Sequence, residues 1–145
     1  MKKKGLLIVM GYIFVFAMII FLSNPGTLSA QECRFIKIIG GDTELPFLMM
    51  LEPETIVVSK GDCVVWFNRF TAETLKVTFK EGKKCADVTQ APMGFSLNAQ
   101  GCYVTNWMPF GGTSSLRFME KGTYEYTVEA KNRGDAKAKG KIIVE

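Results

Sequence analysis

Four cysteines, Cys33, Cys63, Cys85 and Cys102, are the side chains whose type most invites covalent or metal chemistry, and the chain has no histidine beside them. An even cysteine count in an oxidising compartment reads as two disulfides, with three pairings open. Zinc is the competing use. However, no two of the four lie within four residues of each other, and no imidazole is present to complete a site. The missing histidine also rules out a Ser-His-Asp or Cys-His centre and the ordinary ligand sets of zinc, haem and blue copper.

The other chemical candidates are weaker. Paired-carboxylate catalysis needs two acids converging on a cleft, and Glu52 and Glu54 merely flank Pro53 in a strand bend. Gly111-Gly112 lies between Phe110 and Thr113 with no helix pattern after it, so it is no phosphate loop. Soft Cu(I) ligation by Cys33 or Cys63 with Met49, Met50, Met93, Met108 or Met119 lacks any Met-x-x-Met or Cys-x-x-Cys spacing in residues 31–145. Adjacent Met49 and Met50 would also face opposite sides of a strand, so core packing is the expected role.

Residues 1–30 form a separate segment. Lys2, Lys3 and Lys4 precede an almost unbroken apolar run from Gly5 to Leu22, closed by Asn24-Pro25-Gly26, which reads as an export signal or an N-terminal membrane anchor. The run is at the upper limit for a cleaved signal and just long enough to span a bilayer. Leu28 rather than a small residue stands three positions before the candidate cleavage point at Ala30, so cleavage stays open. Ala30-Gln31-Glu32 before Cys33 does not resemble a lipoprotein acylation signal. The location expected is periplasmic or extracellular, with the membrane as a partner if the segment is retained.

The net charge of +4 belongs mostly to that segment: without its three lysines, residues 31–145 carry 15 basic and 14 acidic side chains. Binding nucleic acid needs a sustained excess of Lys and Arg, which this body lacks. The local cluster Lys131, Arg133, Lys137, Lys139 and Lys141 reads as a solvated loop face.

The elements that must position any site are strands. Tyr124, Tyr126 and Val128 alternate with Thr123, Glu125, Thr127 and Glu129, the period of a half-buried strand. Similar runs occur at Arg34–Ile39, Phe47–Leu51, Thr55–Ser59, Cys63–Asn68, Thr74–Phe79, Ser114–Met119 and Lys139–Val144, and no amphipathic helix is evident. The expected fold is therefore an all-β sandwich of about eight strands in one domain, residues 31–145. Cys63-Val64-Val65-Trp66-Phe67 is apolar on both faces, which predicts a central strand with neighbours packed on each side and Trp66 as a core anchor. From Lys80 to Phe110 the alternation breaks, with Pro92, Gly94, Gly101 and Pro109 interrupting it, and the segment reads as a long excursion. A Cys85–Cys102 bond would staple that excursion to the sandwich.

The run from Phe47 to Asn68, with Val77-Thr78-Phe79, Gly122-Thr-Tyr-Glu-Tyr126 and Gly140-Lys-Ile-Ile-Val144, resembles the plastocyanin-type cupredoxins in the right order over most of residues 33–145. The resemblance implies a Greek-key sandwich whose copper, in that family, is held at one end by two His, a Cys and usually a Met. Carried over position by position, the first His falls at Leu75, the Cys at Val128, the second His at Lys131 and the Met near Ala138. None of the four is a copper ligand, so the expectation is no metal and no cofactor, with Leu75 and Val128 turned into core. In the family's topology the first and third strands are parallel neighbours, and Cys33 and Cys63 begin the corresponding strands here. The resemblance thus implies the pairing Cys33–Cys63, and Cys85 and Cys102, which share the long excursion, are expected to pair with each other.

The implied role is a non-enzymatic binding or structural module. The alternatives are an electron-transfer protein with unusual copper ligands and an accessory domain docking onto a membrane oxidoreductase complex. A partner is expected at the loop end, where Asn106-Trp107-Met108-Pro109-Phe110-Gly111 gathers with the loop from Lys131 to Lys139. There Trp107, Met108 and Phe110 either cap the emptied pocket beside Leu75 or stay exposed as an interface rimmed by lysines. An immunoglobulin-like sandwich is the alternative fold, disfavoured because Cys63 lies only three residues before Trp66.

Overall fold

The computed structural model describes residues 32–41, 48–71, 73–80 and 88–145. The segment 1–30, Phe47 and Cys85 lie outside them, so the expectations placed there are not addressed by the fold. Eleven strands make two sheets among the described residues. They are β1 (Cys33–Gly40), β2 (Met49–Glu52), β3 (Thr55–Val58), β4 (Cys63–Phe70), β5 (Leu75–Phe79), β6 (Thr89–Met93), β7 (Phe95–Leu97), β8 (Tyr103–Thr105), β9 (Thr113–Phe118), β10 (Gly122–Ala130) and β11 (Lys137–Val144). One sheet has the order β2-β1-β4-β9-β6 and the other β3-β11-β10-β5-β8-β7. Pairs β1/β4 and β3/β11 are parallel and the rest antiparallel. The chain crosses between sheets after β2, β3, β4, β5, β6, β8 and β9, the connectivity of a Greek-key sandwich.

Local chemistry explains the turns. At Lys60-Gly61-Asp62, Gly61 takes φ of 94°, a region open to glycine without strain, while the Asp62 carboxylate accepts the Ser59 N–H at 3.0 Å. Period-2 alternation then sends one side of each strand inward. Tyr124, Tyr126 and Val128 of β10 are buried, as are Val64, Trp66, Asn68 and Phe70 of β4. Trp66 is fully buried in the middle of the sandwich, edge-on to Phe95, Tyr126 and Phe79 at ring-centroid distances of 5.3, 5.5 and 5.7 Å. Such pairs add roughly 0.5–1.5 kcal/mol each beyond simple burial.

Two expectations change. The stretch from Lys80 to Phe110 is not structureless, because it carries β6, β7 and β8. These strands are three to five residues long, and β6 and β7 occupy sheet edges. Pro92 is tolerated in β6 because the strand is an edge and its register shifts between Gln90 and Met93, where a missing N–H breaks no ladder. Strand β4 is central, as its composition predicts. Only its inner face is sealed, however, while Val65 and Phe67 on the outer face are half-buried.

Cys33 and Cys63 are bonded across the parallel β1/β4 pair, where they are register partners with Cα atoms 4.5 Å apart. Cys102 is buried just before β8 with Sγ 3.6 Å from the Lys80 carbonyl oxygen. Its expected partner Cys85 is outside the described residues.

Candidate functional site

At one end of the sandwich the six-stranded sheet brings together three of the four positions singled out by the sequence. Leu75 opens β5 and pairs in register with Ala130, while Val128 of β10 pairs with Val77 on one side and Ala138 of β11 on the other. Leu75 and Val128 are fully buried, and half-buried Ala138 packs against the same core. Lys131 is the exception. It begins the β10–β11 loop, its side chain is exposed, and its backbone N–H donates to the Thr74 carbonyl at 3.0 Å.

The loop from Asn106 to Gly112 closes this end. Leu75 and Met108 exchange two backbone hydrogen bonds, 2.9 Å from Leu75 N and 2.7 Å from Met108 N, which extends the β5 edge and draws the Met108 side chain inside. Asn68 locks the arrangement from β4. It is fully buried; its Nδ2 donates to the carbonyls of Glu73 and Met108 at 2.9 Å each, and its Oδ1 accepts the Phe70 N–H at 2.9 Å. One amide side chain thereby ties together the β4 end, the β4–β5 loop and the 106–112 loop.

Of the three loop residues proposed for contact, Met108 belongs to the buried wall, with 4% exposure, whereas Trp107 is 36% and Phe110 59% exposed. Two cations attend the Trp107 ring, with Lys76 Nζ 4.7 Å and Lys131 Nζ 6.0 Å from its centroid. Lys76 also pairs with Glu129 at 2.9 Å. The surface of this end is thus an aromatic pair with ammonium groups beside it, over a hydrocarbon floor.

The β10–β11 loop is shorter than its sequence suggests, since β11 begins at Lys137 and only residues 131–136 connect the strands. It is tied down by Glu73, a buried carboxylate absent from the candidates read in the sequence. Asn132 Nδ2 donates to Glu73 Oε2 at 3.3 Å, and Arg133 Nε lies 3.4 Å from Oε1. The Arg133 guanidinium also sits 5.8 Å from the Phe70 ring centroid. A single acid in Thr71-Ala-Glu-Thr-Leu75 gives little warning of this role, because Asn132 is 59 positions away.

Among the described residues, no group of three or more Cys, Asp or Glu is placed to hold a metal ion. The disulfide at Cys33–Cys63 lies on the other sheet from Leu75 and Val128. Glu54 lines a groove of about 540 Å³ between β2 and β11 with Met49, Leu51 and Ala138. Glu52, by contrast, is engaged with Lys37 at 3.6 Å, so the two carboxylates form no acid/base pair.

No protein-family model and no curated protein sequence matches the chain. Solved structures do. The Cu(I) form of a methionine-to-alanine mutant of amicyanin matches with a TM-score of 0.50 and 23% identity over 81% of this chain and 87% of that one. The oxidised form of a methionine-to-lysine mutant of amicyanin matches with a TM-score of 0.50 and 22% identity over the same shares. At this level of identity the likeness speaks for architecture alone. With two mixed sheets, parallel β1/β4 and β3/β11 pairs and Trp66 at the centre, the β-sandwich of this chain has a cupredoxin-like fold.

Proposed function

We propose that this chain is an exported cupredoxin-like module that binds a protein partner, holds no type-1 copper and carries out no catalysis of its own. The observation that carries this reading is the packing at one end of the six-stranded sheet. Leu75, Val128 and Ala138 fill the space with hydrocarbon where the family resemblance would place ligands, and Lys131 turns outward. A type-1 centre needs a thiolate and two imidazoles, which aliphatic side chains and an ammonium do not replace. The Cys33–Cys63 bond suits an oxidising compartment, in keeping with residues 1–30 read as a signal or anchor.

The contact surface in this reading is Trp107 and Phe110, with Lys76 and Lys131 at its rim and Met108 beneath. Aromatic anchors beside basic groups are the composition of interface hot spots. Purified protein titrated with Cu(II) is expected to show no intense thiolate-to-copper absorption and no stoichiometric copper by metal analysis. A strong visible band with one bound copper would overturn the metal-free reading. For the surface, the Trp107→Ala, Phe110→Ala double variant should keep its stability and lose a partner that co-purifies with the unaltered chain. Loss of stability with the partner retained would make both residues core.

A further inference from the structure

The outer face of the five-stranded sheet carries a group of large apolar side chains among its polar ones. Register places Phe35 of β1 beside Val65 of β4, Val65 beside Ser115 of β9, and Ser115 beside Met93 of β6. The neighbouring rows add Phe67, Ile39 and Met50. Register partners share a face, and alternation sends their neighbours Ile36, Ile38, Val64, Trp66 and Leu116 into the core. Phe35 is 57%, Met50 46% and Met93 67% exposed, with Val65, Phe67, Ile39 and Ser115 half-exposed between them. Isolated exposed apolar residues need no account, but a continuous strip over adjacent strands does.

The charges on this face are of one sign once its ion pair is set aside. Lys37 and Glu52 neutralise each other. Arg69, register partner of Ile39, and Arg117, register partner of Cys63, stand at opposite ends of the face. Neither pairs with a carboxylate among the described residues, and Arg117 Nε is buried without an acceptor. A second copy docked face to face would offer these arginines only Glu52, which Lys37 already neutralises.

In chain order, β1 of this sheet follows the apolar run. Ten residues separate Leu22 from Cys33, the first residue of β1, and a fully extended chain of that length spans at most about 35 Å, roughly one diameter of a body this size. Resting on the reading of residues 1–30 as a retained anchor, we infer that the outer face of the β2-β1-β4-β9-β6 sheet docks on an anionic lipid surface. Phe35, Met50 and Met93 meet the acyl boundary, and Arg69 and Arg117 meet phosphate headgroups. The tether supplies a high local concentration of bilayer, so modest contacts suffice. Each arginine near an anionic surface adds about fivefold in binding.

The test reconstitutes the full chain in vesicles of phosphatidylcholine alone and of phosphatidylcholine with phosphatidylglycerol, and follows hydroxyl-radical oxidation of Met50 and Met93 against Trp107 by mass spectrometry. Co-flotation with both vesicle types, with the two methionines oxidising severalfold more slowly in anionic vesicles, is the expected result. Phe35→Ser and, separately, Arg69→Gln should remove that protection while leaving co-flotation intact. Co-flotation with equal oxidation in both lipids overturns the docking inference and leaves the anchor reading standing. Protection that is independent of lipid charge and grows with protein density overturns it in favour of a second copy. A chain that fails to float overturns the anchor reading and the docking with it.

Discussion

Asn68 concentrates more of this fold's specificity than its single amide suggests. Its three side-chain hydrogen bonds are all made in a site without water access, where an unmatched polar group costs about 1–3 kcal/mol. Asn68→Ala leaves the Glu73 carbonyl and the Phe70 N–H without these partners, while the Met108 carbonyl keeps the Leu75 N–H. The expected loss is therefore about 2–4 kcal/mol in urea denaturation. A loss below about 0.5 kcal/mol, the range of an ordinary surface change, would mean the network is not a lock. Tyr126 is the opposite case. Its side chain is fully buried, its Oη has no hydrogen-bond partner, and a Cβ at Gly140 would collide with its ring. Burial pushes its hydroxyl well above the ordinary phenol range; nearby Trp66 Nε1 pulls the other way more weakly, and the Glu54 charge reinforces the rise. Because the folded form holds its proton after the unfolded chain has released it, this contribution to stability is complete below about pH 10 and declines as pH rises beyond it. Tyr126→Phe should thus match or exceed the unaltered chain's stability at neutral pH and unfold at higher alkaline pH. A variant markedly less stable at pH 7 would show that the hydroxyl has a partner after all.

At the scale of elements, alternation was enough wherever a strand has one wet and one dry side. The eight runs read from the sequence coincide with β1–β5 and β9–β11 to within about two residues at each described end. The three missed strands are three to five residues long with Gly and Pro in or between them; β7 and β8 pair with each other over only three positions, and β8 joins β5 through the single register pair Val104↔Thr78. Propensity over three residues carries almost no signal against that background. The loop end divides the same way. Burial of Leu75 and Val128 follows from the resemblance and their hydrophobicity, but the split between Met108 and Phe110 depends on the Leu75–Met108 bridge, which composition does not encode. That bridge makes a quantitative expectation. Met108→Ala should cost about 2–4 kcal/mol through a cavity under the loop, whereas Phe110→Ala should stay within about 0.5 kcal/mol. Equal costs in thermal or urea unfolding would mean the two side chains share one environment.

For the molecule as a whole, the two sheets have separate duties, and the Cys33–Cys63 bond belongs to only one of them. The six-stranded sheet carries Leu75, Val128 and the 106–112 loop. The five-stranded sheet contains β1, the disulfide and the outer face with Phe35, Met50 and Met93. Strands β1 and β4 are parallel, so no tight hairpin can hold them together, and β2 and β3 lie between them in the chain. The bond closes a loop of 30 residues between the two strand starts, which in the chain-entropy account is worth about 3–4 kcal/mol. The Cys33→Ser, Cys63→Ser double variant should lose that amount in urea denaturation, with a larger m-value because its unfolded chain is less compact. The loss should also be uneven. Amide exchange ought to rise first in β1 and β2, which the six-stranded sheet does not include, and last in β10, which is paired on both sides. If exchange rose equally in both sheets, the bond would be stabilising the fold as one cooperative unit, and the division of duties between the sheets would have no energetic counterpart.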